Sequence, residues 1–472
     1  MKRVFVKEAP KFIEEEIEVS GWVDKVRTHG SLMFIELRDL SGILQIVFDG
    51  VLAKNFASIK PEWVLSVKGE VKKRPPSMIN PKNILGEIEL LAKEVLIISK
   101  AKTLPFRIDT AGYEISEEKR LHYRYLDLRR PRLKKNLKAR HQILNFVREF
   151  LTKRDFIEIE TPLLTKSTPE GARDYLVPVR QKPGHFFALP QSPQQYKQLL
   201  QVAGFERYFQ IARCFRDEDP RGDRQPEFTQ LDIEMSFVTQ EEILELIEEL
   251  FISLVKTLYP AKKLKLTPEG KFLRISYQEA MARFQSDKPD LRENKNDPDE
   301  LAFLFVVDFP MFEWKETEKR WDATHHPFTM PKVKDVQEFK EIFKRNPAEI
   351  LAFQHDLVLN GFEVGGGSMR TFDSELLSTV FEAMGHKKTE IQKKFGHLLE
   401  AFEYGVPPHG GIAPGIDRLV MILEKEPNIR EVIAFPKTGD GRDLMMASPS
   451  LVEKEQLEEL NLKIVSKKKK TK

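Results

Sequence analysis

The stretch RCFRDEDPRGDRQPEFTQLDIEMSF, Arg213 to Phe237, constrains this chain more than any other. Its second half alternates polar and apolar residues, the pattern of a strand with one buried face. Ahead of that strand lies a turn crowded with Arg216, Arg221, Arg224, Asp217, Glu218, Asp219 and Asp223. A surface loop would scatter such charges. Guanidinium groups fork onto phosphates, and carboxylates accept from the edge of a base. The hairpin is therefore expected to grip a nucleotide and to present an RNA end to it.

The rest of the chain can be searched for the parts such a hairpin needs. Its 472 residues leave room for two or three domains, each with its own core. A charged content of 32% beside 41% hydrophobic residues describes a globular protein with a densely charged surface. The formal net charge is only +3, so nucleic-acid binding must come from local patches. One cysteine, Cys214, excludes a disulfide framework or a multi-cysteine zinc site and suits a reducing compartment. The opening MKRVFVKEAPKF has no signal-peptide core, and no apolar run reaches spanning length. A cytoplasmic protein with no membrane partner is expected.

Residues from about 15 to 100 read as short strands. Ile17, Val19 and Val23 share one face, and a turn at Asp39-Leu40-Ser41-Gly42 breaks a second alternating run. So many short strands in so few residues suggest a small closed barrel, the oligonucleotide-binding type being one, with a plain barrel or sandwich as the alternative. Residues 120–140 hold nine Arg/Lys against one acid, which is either a solvated helix start or a phosphate-facing segment. Leu133, Leu137, Leu144, Val147 and Leu151 then repeat at helical spacing, before RDFIEIETPLL turns to strand. Thr239-Gln-Glu-Glu makes a capping box for a helix with Ile243, Ile247, Leu250, Leu254 and Leu258 on its buried stripe. Irregular alternation of strands and helices predicts an α+β fold. The expected divisions are a barrel over 1–103, a basic hinge over 104–132, a main domain over 133–455 and a basic tail over 456–472, with a loop at 289–302 joining two strands.

No P-loop and no dinucleotide fingerprint is present, so a nucleotide would have to be held by arginines and an antiparallel sheet. Arg216 enters the charged turn, and Phe228 on the returning strand could stack on a base. In LVLNGFEVGGGSMR, Asp356 and Glu363 sit on apolar strands, where acids are costly unless they face a cavity and a cation such as Mg²⁺. In GGIAPGIDRLVMIL, Asp417 and Arg418 open a helix, with Arg418 able to reach a terminal phosphate. Singly, each has a plain alternative: a salt-bridged arginine, glycines in a bulge or close packing, a capped loop. Jointly, and in this order, they are far more specific.

RDFIEIETPLL, CFRDEDPRGDRQPEFTQLDIEMSF and GIAPGIDRLVMIL resemble motifs 1, 2 and 3 of the class II aminoacyl-tRNA synthetases. More narrowly, STPEGARDYLVP, FALPQSPQQYKQLL, ATHHPFTMP and IAFPKTGDGRDLM are similar to the bacterial-type aspartyl-tRNA synthetase family. The resemblance runs from the barrel to about residue 450. It implies an antiparallel class II catalytic sheet flanked by helices and preceded by an OB-fold barrel, with ATP, Mg²⁺, L-aspartate and tRNA(Asp) as ligands and a homodimer formed through motif 1. Arg216, Glu218, Gln225, Phe228, Glu363, Gly415, Ile416, Asp417 and Arg418 would hold ATP, with Arg216, Glu363 and Arg418 catalytic. Asp356 and Glu363 would carry the metal. Lys197 and Arg370 would clamp the aspartate side chain, Arg216 would hold the α-phosphate and the aspartate carboxylate region, and Asp232 and Glu170 would take the ammonium, with Gln194 and His325 nearby.

In the barrel, the resemblance points to Arg27, Phe34, Gln45 and Glu89 as anticodon readers. His29 and Gly86 stand where relaxed reading of the third base is associated with this family, so tRNA(Asn) joins the expected partners. One departure is plain. Family members usually carry a whole domain between YQEAMARFQSDKPDLR and VVDFPMF, and here about ten residues join those segments. Two rivals remain, an asparagine-activating relative and a catalytically inactive RNA-binding paralogue. Two cations for the substrate carboxylate disfavour the first, and intact Arg216, Glu363 and Arg418 disfavour the second.

Overall fold

A computed structural model describes residues 3–167, 171–316 and 319–465. It divides into two compact units, Met1–Arg107 and Ile108–Lys472.

The first unit is a closed five-stranded barrel: β1 (Glu16–His29), β2 (Leu32–Arg38), β3 (Ile43–Phe48), β4 (Val64–Lys73) and β5 (Ile88–Ser99), ordered β1-β2-β3-β5-β4. Closure depends on β1 being long enough for two neighbours. Its first half, Glu16–Trp22, pairs with β4, and its second, Trp22–His29, pairs with β2, with a register shift between Val23 and Lys25. Gly21 sits at that crossover, where a Cβ would come within 2.4 Å of the Arg38 carbonyl oxygen. Alternate residues, among them Val19, Ile35, Ile46, Leu65 and Leu90, fill the interior. Each contributes about 1.5–3 kcal/mol relative to exposure. The expected turn is held by Asp39, whose Oδ1 accepts from the Ser41 and Gly42 amides.

The second unit is built on a nine-stranded sheet. From one edge the strands are Ile157–Glu158, Arg207–Phe215, Glu227–Ser236, His409–Pro414, Phe362–Met369, Gln354–Leu359 and Glu300–Val307. Lys263–Lys265 and Leu273–Ser276 lie along the far side of the last. The middle strands are antiparallel, and only the edges pair in parallel. Helices Pro131–Thr152 and Gln240–Leu258 cover one face, packing Ile143, Val147, Ile247 and Phe251 on Leu231, Ile233, Leu357 and Ile412. Pro131 starts the first at the position proline favours, and the Thr239 capping box starts the second, its side chain accepting from the Glu242 amide while Glu242 reaches back. On the middle strands the opposite face is polar, with Gln230, Asp232, Glu234 and Ser368, whereas toward the far edge Ile275, Leu304, Val306 and Val358 form a second apolar cluster. Among the described residues no helix is long and apolar enough to cross a membrane.

Five expectations need correcting. Residues 108–132 belong to the second unit rather than to a separate hinge. Arg120, Arg124 and Arg130 are neither solvated nor free for phosphate: they are buried, and all three pair with Asp127, Arg120 also with Glu431. On Pro131–Thr152 the buried face is Leu133, Asn136, Ala139, Ile143 and Val147, leaving Leu137 and Leu144 half-buried. In RDFIEIETPLL only Ile157–Glu158 joins the sheet. The loop expected at 289–302 joins a helix, Tyr277–Phe284, to a strand and ends at Asp299, because Leu301 and Ala302 are already packed in Glu300–Val307.

Candidate active site

Along Glu227–Ser236, Leu231, Ile233 and Met235 point to the core, while Phe228, Gln230 and Asp232 line a cleft of about 320 Å³, within the range of small-molecule sites. Arg216, Arg370 and Arg418, from distant parts of the chain, line the same cleft.

One end is deeply buried. Glu234, fully buried, receives a fork from Arg370, Nε to Oε1 at 2.8 Å and Nη2 to Oε2 at 3.2 Å. Lys197 Nζ lies 3.2 Å from Glu234 Oε2 and 3.0 Å from Asp232 Oδ1. Burial alone would raise the Glu234 carboxyl, but Arg370 and Lys197 hold it down at about 2. Arg370 Nη1 also donates to Ser368 Oγ at 2.8 Å and meets His326 Nε2 at 2.9 Å. Burial, then Arg370, keeps His326 well below its ordinary value, so its neutral ring can accept. Asp232 Oδ2 is buried with no hydrogen-bond partner, an acceptor aimed at a donor the protein does not supply.

The other end is more open. The Arg216 guanidinium stands 5.1 Å from the Phe228 ring centroid, and its amide donates to the Pro226 carbonyl at 2.9 Å. Arg418 Nη1 donates to the Glu363 carbonyl at 2.6 Å, and Nη2 pairs with Asp223 Oδ2 at 3.1 Å. Glu218 pairs with Arg224 at 3.3 Å. Two expected nucleotide contacts act as braces. The Gln225 side chain exchanges hydrogen bonds with the Lys437 backbone, 2.7 and 3.2 Å. The Asp417 carboxylate is taken by Arg140 at 2.5 Å and by the Thr229 amide at 2.8 Å, which ties the helix bearing Arg418 to the hairpin. Gly415 lines the cleft, its amide donating to the Val364 carbonyl at 2.7 Å, while Ile416 is buried in the core.

Between the ends, a Cβ on Gly366 would lie 3.1 Å from Asp356 Oδ1 and 3.6 Å from Glu363 Oε1, so both carboxylates converge there. Burial, with Glu363 adding to it and His325 opposing, pushes Asp356 up to about 7. His325 Nε2 is 3.9 Å from Asp356 Oδ2. Gly367 is required by close packing: a Cβ would come within 2.1 Å of the Gly411 carbonyl oxygen.

Of the expected residues, Gln194, Lys197, Arg216, Glu218, Gln225, Phe228, Asp232, His325, Glu363, Arg370, Gly415, Asp417 and Arg418 share this cleft. Asp356 lies just behind it, and Glu170 falls outside the described residues. Sequence reasoning missed Glu234, although Gln230, Asp232 and Glu234 form a period-two polar run on one strand. In the barrel, Arg27 Nη2 donates to Glu36 Oε1 at 3.1 Å and Gln45 Oε1 at 3.3 Å, and Gln45 Nε2 donates to Glu89 Oε2 at 2.8 Å. Phe34 pairs with Arg27 across the ladder. His29 is exposed at the end of β1, and Gly86 sits in a turn where a Cβ would come within 1.9 Å of the Asn80 carbonyl oxygen. Arg74, 3.5 Å from Glu89, extends this face and was also missed.

The family model for tRNA synthetases class II (D, K and N) matches residues 116–439, and that for the OB-fold nucleic acid binding domain matches 17–98. The chain is 42% identical to an aspartate–tRNA(Asp/Asn) ligase of Caldanaerobacter subterraneus, with 96% of each chain covered. It is 41% identical to a ligase of the same name from Rubrobacter xylanophilus, covering 96% of this chain and 95% of that one. The first alignment runs over 581 positions, whereas 96% of 472 residues is about 453, so that relative carries over a hundred residues that this chain lacks. Among solved structures, the asparaginyl-tRNA synthetase of Pyrococcus horikoshii with asparaginyl-adenylate superposes with a TM-score of 0.72 at 23% identity, covering 93% of this chain and 98% of that one. The aspartyl-tRNA synthetase of Entamoeba histolytica gives 0.70 at 23%, covering 92% and 91%. At that identity the likeness is one of fold.

Proposed function

Because the chain belongs to the class II tRNA synthetases of the D, K and N kind, we propose that it is an aspartate–tRNA ligase. It activates L-aspartate with ATP and passes the aspartyl group to the 3′ end of tRNA(Asp) and tRNA(Asn). The observation that carries this reading is the pair of cations, Lys197 and Arg370, held on buried Glu234 beside the orphaned Asp232 Oδ2. A dicarboxylic amino acid fits it: the side-chain carboxylate takes the free donors of the cations, and the ammonium takes Asp232. Asparagine would leave two buried cations facing a neutral amide, a strong basis for rejection.

Activation joins an oxygen of the α-carboxylate to the α-phosphorus and expels pyrophosphate. That step needs placement and charge neutralisation more than proton transfer. Arg216 and Phe228 would hold the α-phosphate and the base, and Arg418 the far phosphates. Asp356 and Glu363 suit a divalent cation, since burial and mutual repulsion leave Asp356 near 7. When bound, Mg²⁺ would neutralise phosphate charge there. A ribose hydroxyl of the tRNA then attacks the mixed anhydride and releases AMP. The barrel face around Arg27, Phe34, Gln45 and Glu89 would read the anticodon. Exposed Ile157, Leu163 and Leu164 are apolar surface for a second copy, and light scattering at twice the chain mass would support a homodimer.

ATP–pyrophosphate exchange with aspartate and with asparagine tests the reading. Exchange dependent on aspartate alone is expected. Asparagine-dependent exchange, or none, would overturn it. Aspartylation of the two purified tRNAs then decides tRNA range, and a charge on tRNA(Asp) alone would restrict it.

A further inference from the structure

The helix Gln194–Val202 has inverted polarity. Gln194, Lys197, Gln198 and Gln201 share one face and are all buried. Such groups must be satisfied internally. Lys197 is held by Asp232 and Glu234, and Gln201 Oε1 accepts from Ser236 Oγ at 2.6 Å. Gln198, fully buried, instead links Gln194 to His409, which is also fully buried at the start of His409–Pro414.

The direction of every hydrogen bond in this chain follows from its far end. The Pro407 carbonyl can only accept, so His409 Nδ1, 2.8 Å away, carries the ring proton. Burial, with Arg370 and Lys197 reinforcing it and Glu234 opposing, holds this imidazole below its ordinary value and favours the neutral ring. His409 Nε2 is then bare and accepts from the Gln198 amide nitrogen at 3.2 Å. That orientation turns Gln198 Oε1 toward Gln194, whose Nε2 donates to it at 3.0 Å. The Gln194 oxygen is left as the acceptor for the cleft that this residue lines.

We propose that His409 and Gln198 are positioning residues for amino-acid recognition, fixing the Gln194 amide through the relay Pro407–His409–Gln198–Gln194 so that its oxygen accepts from the substrate ammonium. The proposal rests on reading the cleft as an L-aspartate site. An ammonium only donates, so a second acceptor in the cleft that Asp232 also lines is useful, whereas an amide rotated by half a turn would point N–H groups at a cation.

The test is steady-state exchange with aspartate and ATP varied separately. His409→Phe keeps a flat ring but removes both nitrogens, and Gln198→Met keeps length without the amide. His409→Gln restores an oxygen acceptor near the place of Nε2. Both ablating variants should raise the KM for aspartate about tenfold, the loss of one hydrogen bond to a charged group. The KM for ATP should stay within about twofold, and His409→Gln should stay near the parent. An unchanged aspartate KM, a parallel rise in both KM values, or equal damage from His409→Gln and His409→Phe would overturn the relay. If His409→Phe fails to fold, Gln198→Met decides alone. A parent protein with no aspartate-dependent exchange would refute the proposed function instead, a separate outcome.

Discussion

Both ends of the cleft hold a cation on an internal anion, and they do so in opposite ways. At the amino-acid end Glu234 has 0% side-chain exposure, and Lys197 and Arg370 have 2% each. At the nucleotide end Asp223 is 30% exposed and Arg418 22%. Charges out of reach of water cannot exchange partners cheaply, so the first arrangement is permanent. A part-exposed pair contributes little and can trade one anion for another. On the proposed function, the amino-acid end is therefore built before its substrate arrives, whereas the nucleotide end is closed on itself until a polyanion opens it.

The largest effect should come from attacking the permanent end. Arg370→Ala removes half the counter-charge of Glu234 and, on the proposed function, a contact to the substrate carboxylate. Aspartate-dependent exchange should fall at least about a hundredfold, and the fold should lose about 3–5 kcal/mol, the usual cost of stranding a buried charge. Adding Glu234→Gln should restore much of the stability and none of the activity. A single variant with an unchanged melting temperature would show that Glu234 does not need Arg370, and the contrast between the two ends would collapse.

Acid should separate the ends next. The Glu234 carboxyl is held at about 2 against an ordinary 4.5, a depression worth on the order of 3 kcal/mol at neutral pH. Because the folded value is the lower one, this contribution is complete above about pH 4.5. It is lost as pH falls from there through about 2. Urea unfolding of the parent and of Glu234→Gln at several pH values checks this, since the other carboxylates are common to both. Their stability difference should shrink as pH drops below 4.5. A constant difference would mean that Glu234 titrates alike in the folded and unfolded chain, with no depression to lose.

Much of this was readable from residues alone, and the failures share a cause. The barrel, the capping box at Thr239 and the charged hairpin are local patterns, and their periodicity carries them. Arg216 and Arg418 could be singled out because each sits in a short distinctive segment, whereas Arg370 came only with the family resemblance. Arg120, Arg124 and Arg130 were misread because a count of charges does not show that one acid, Asp127, is shared by all three. Further partners, Glu431 for Arg120 and the Ala434 carbonyl for Arg124, lie some three hundred positions later. Glu234 was overlooked for a related reason: its role depends on Arg370 and Lys197 arriving from two other elements. The half-buried Leu137 and Leu144 fit the same account, since leucine content marks an apolar helix but not which stripe meets the sheet.

The smallest expected effect belongs to the displaceable anion. Arg418 points Nη2 at Asp223 Oδ2, 3.1 Å away, and Nε at the Asp223 carbonyl, 3.3 Å away, so phosphates held there as the proposed function has it would compete with Asp223 for this guanidinium. Asp223→Asn keeps the shape and the carbonyl contact while removing the charge. A pair this exposed is worth up to about 1 kcal/mol, so the KM for ATP should fall about two- to fivefold, with the KM for aspartate and the melting temperature unmoved. Raising ionic strength should lessen the parent's disadvantage, because salt screens an exposed pair. A higher KM for ATP in Asp223→Asn would mean that the carboxylate helps to bind the nucleotide. The hairpin would then be preorganised like the amino-acid end, and the two ends would differ only in depth.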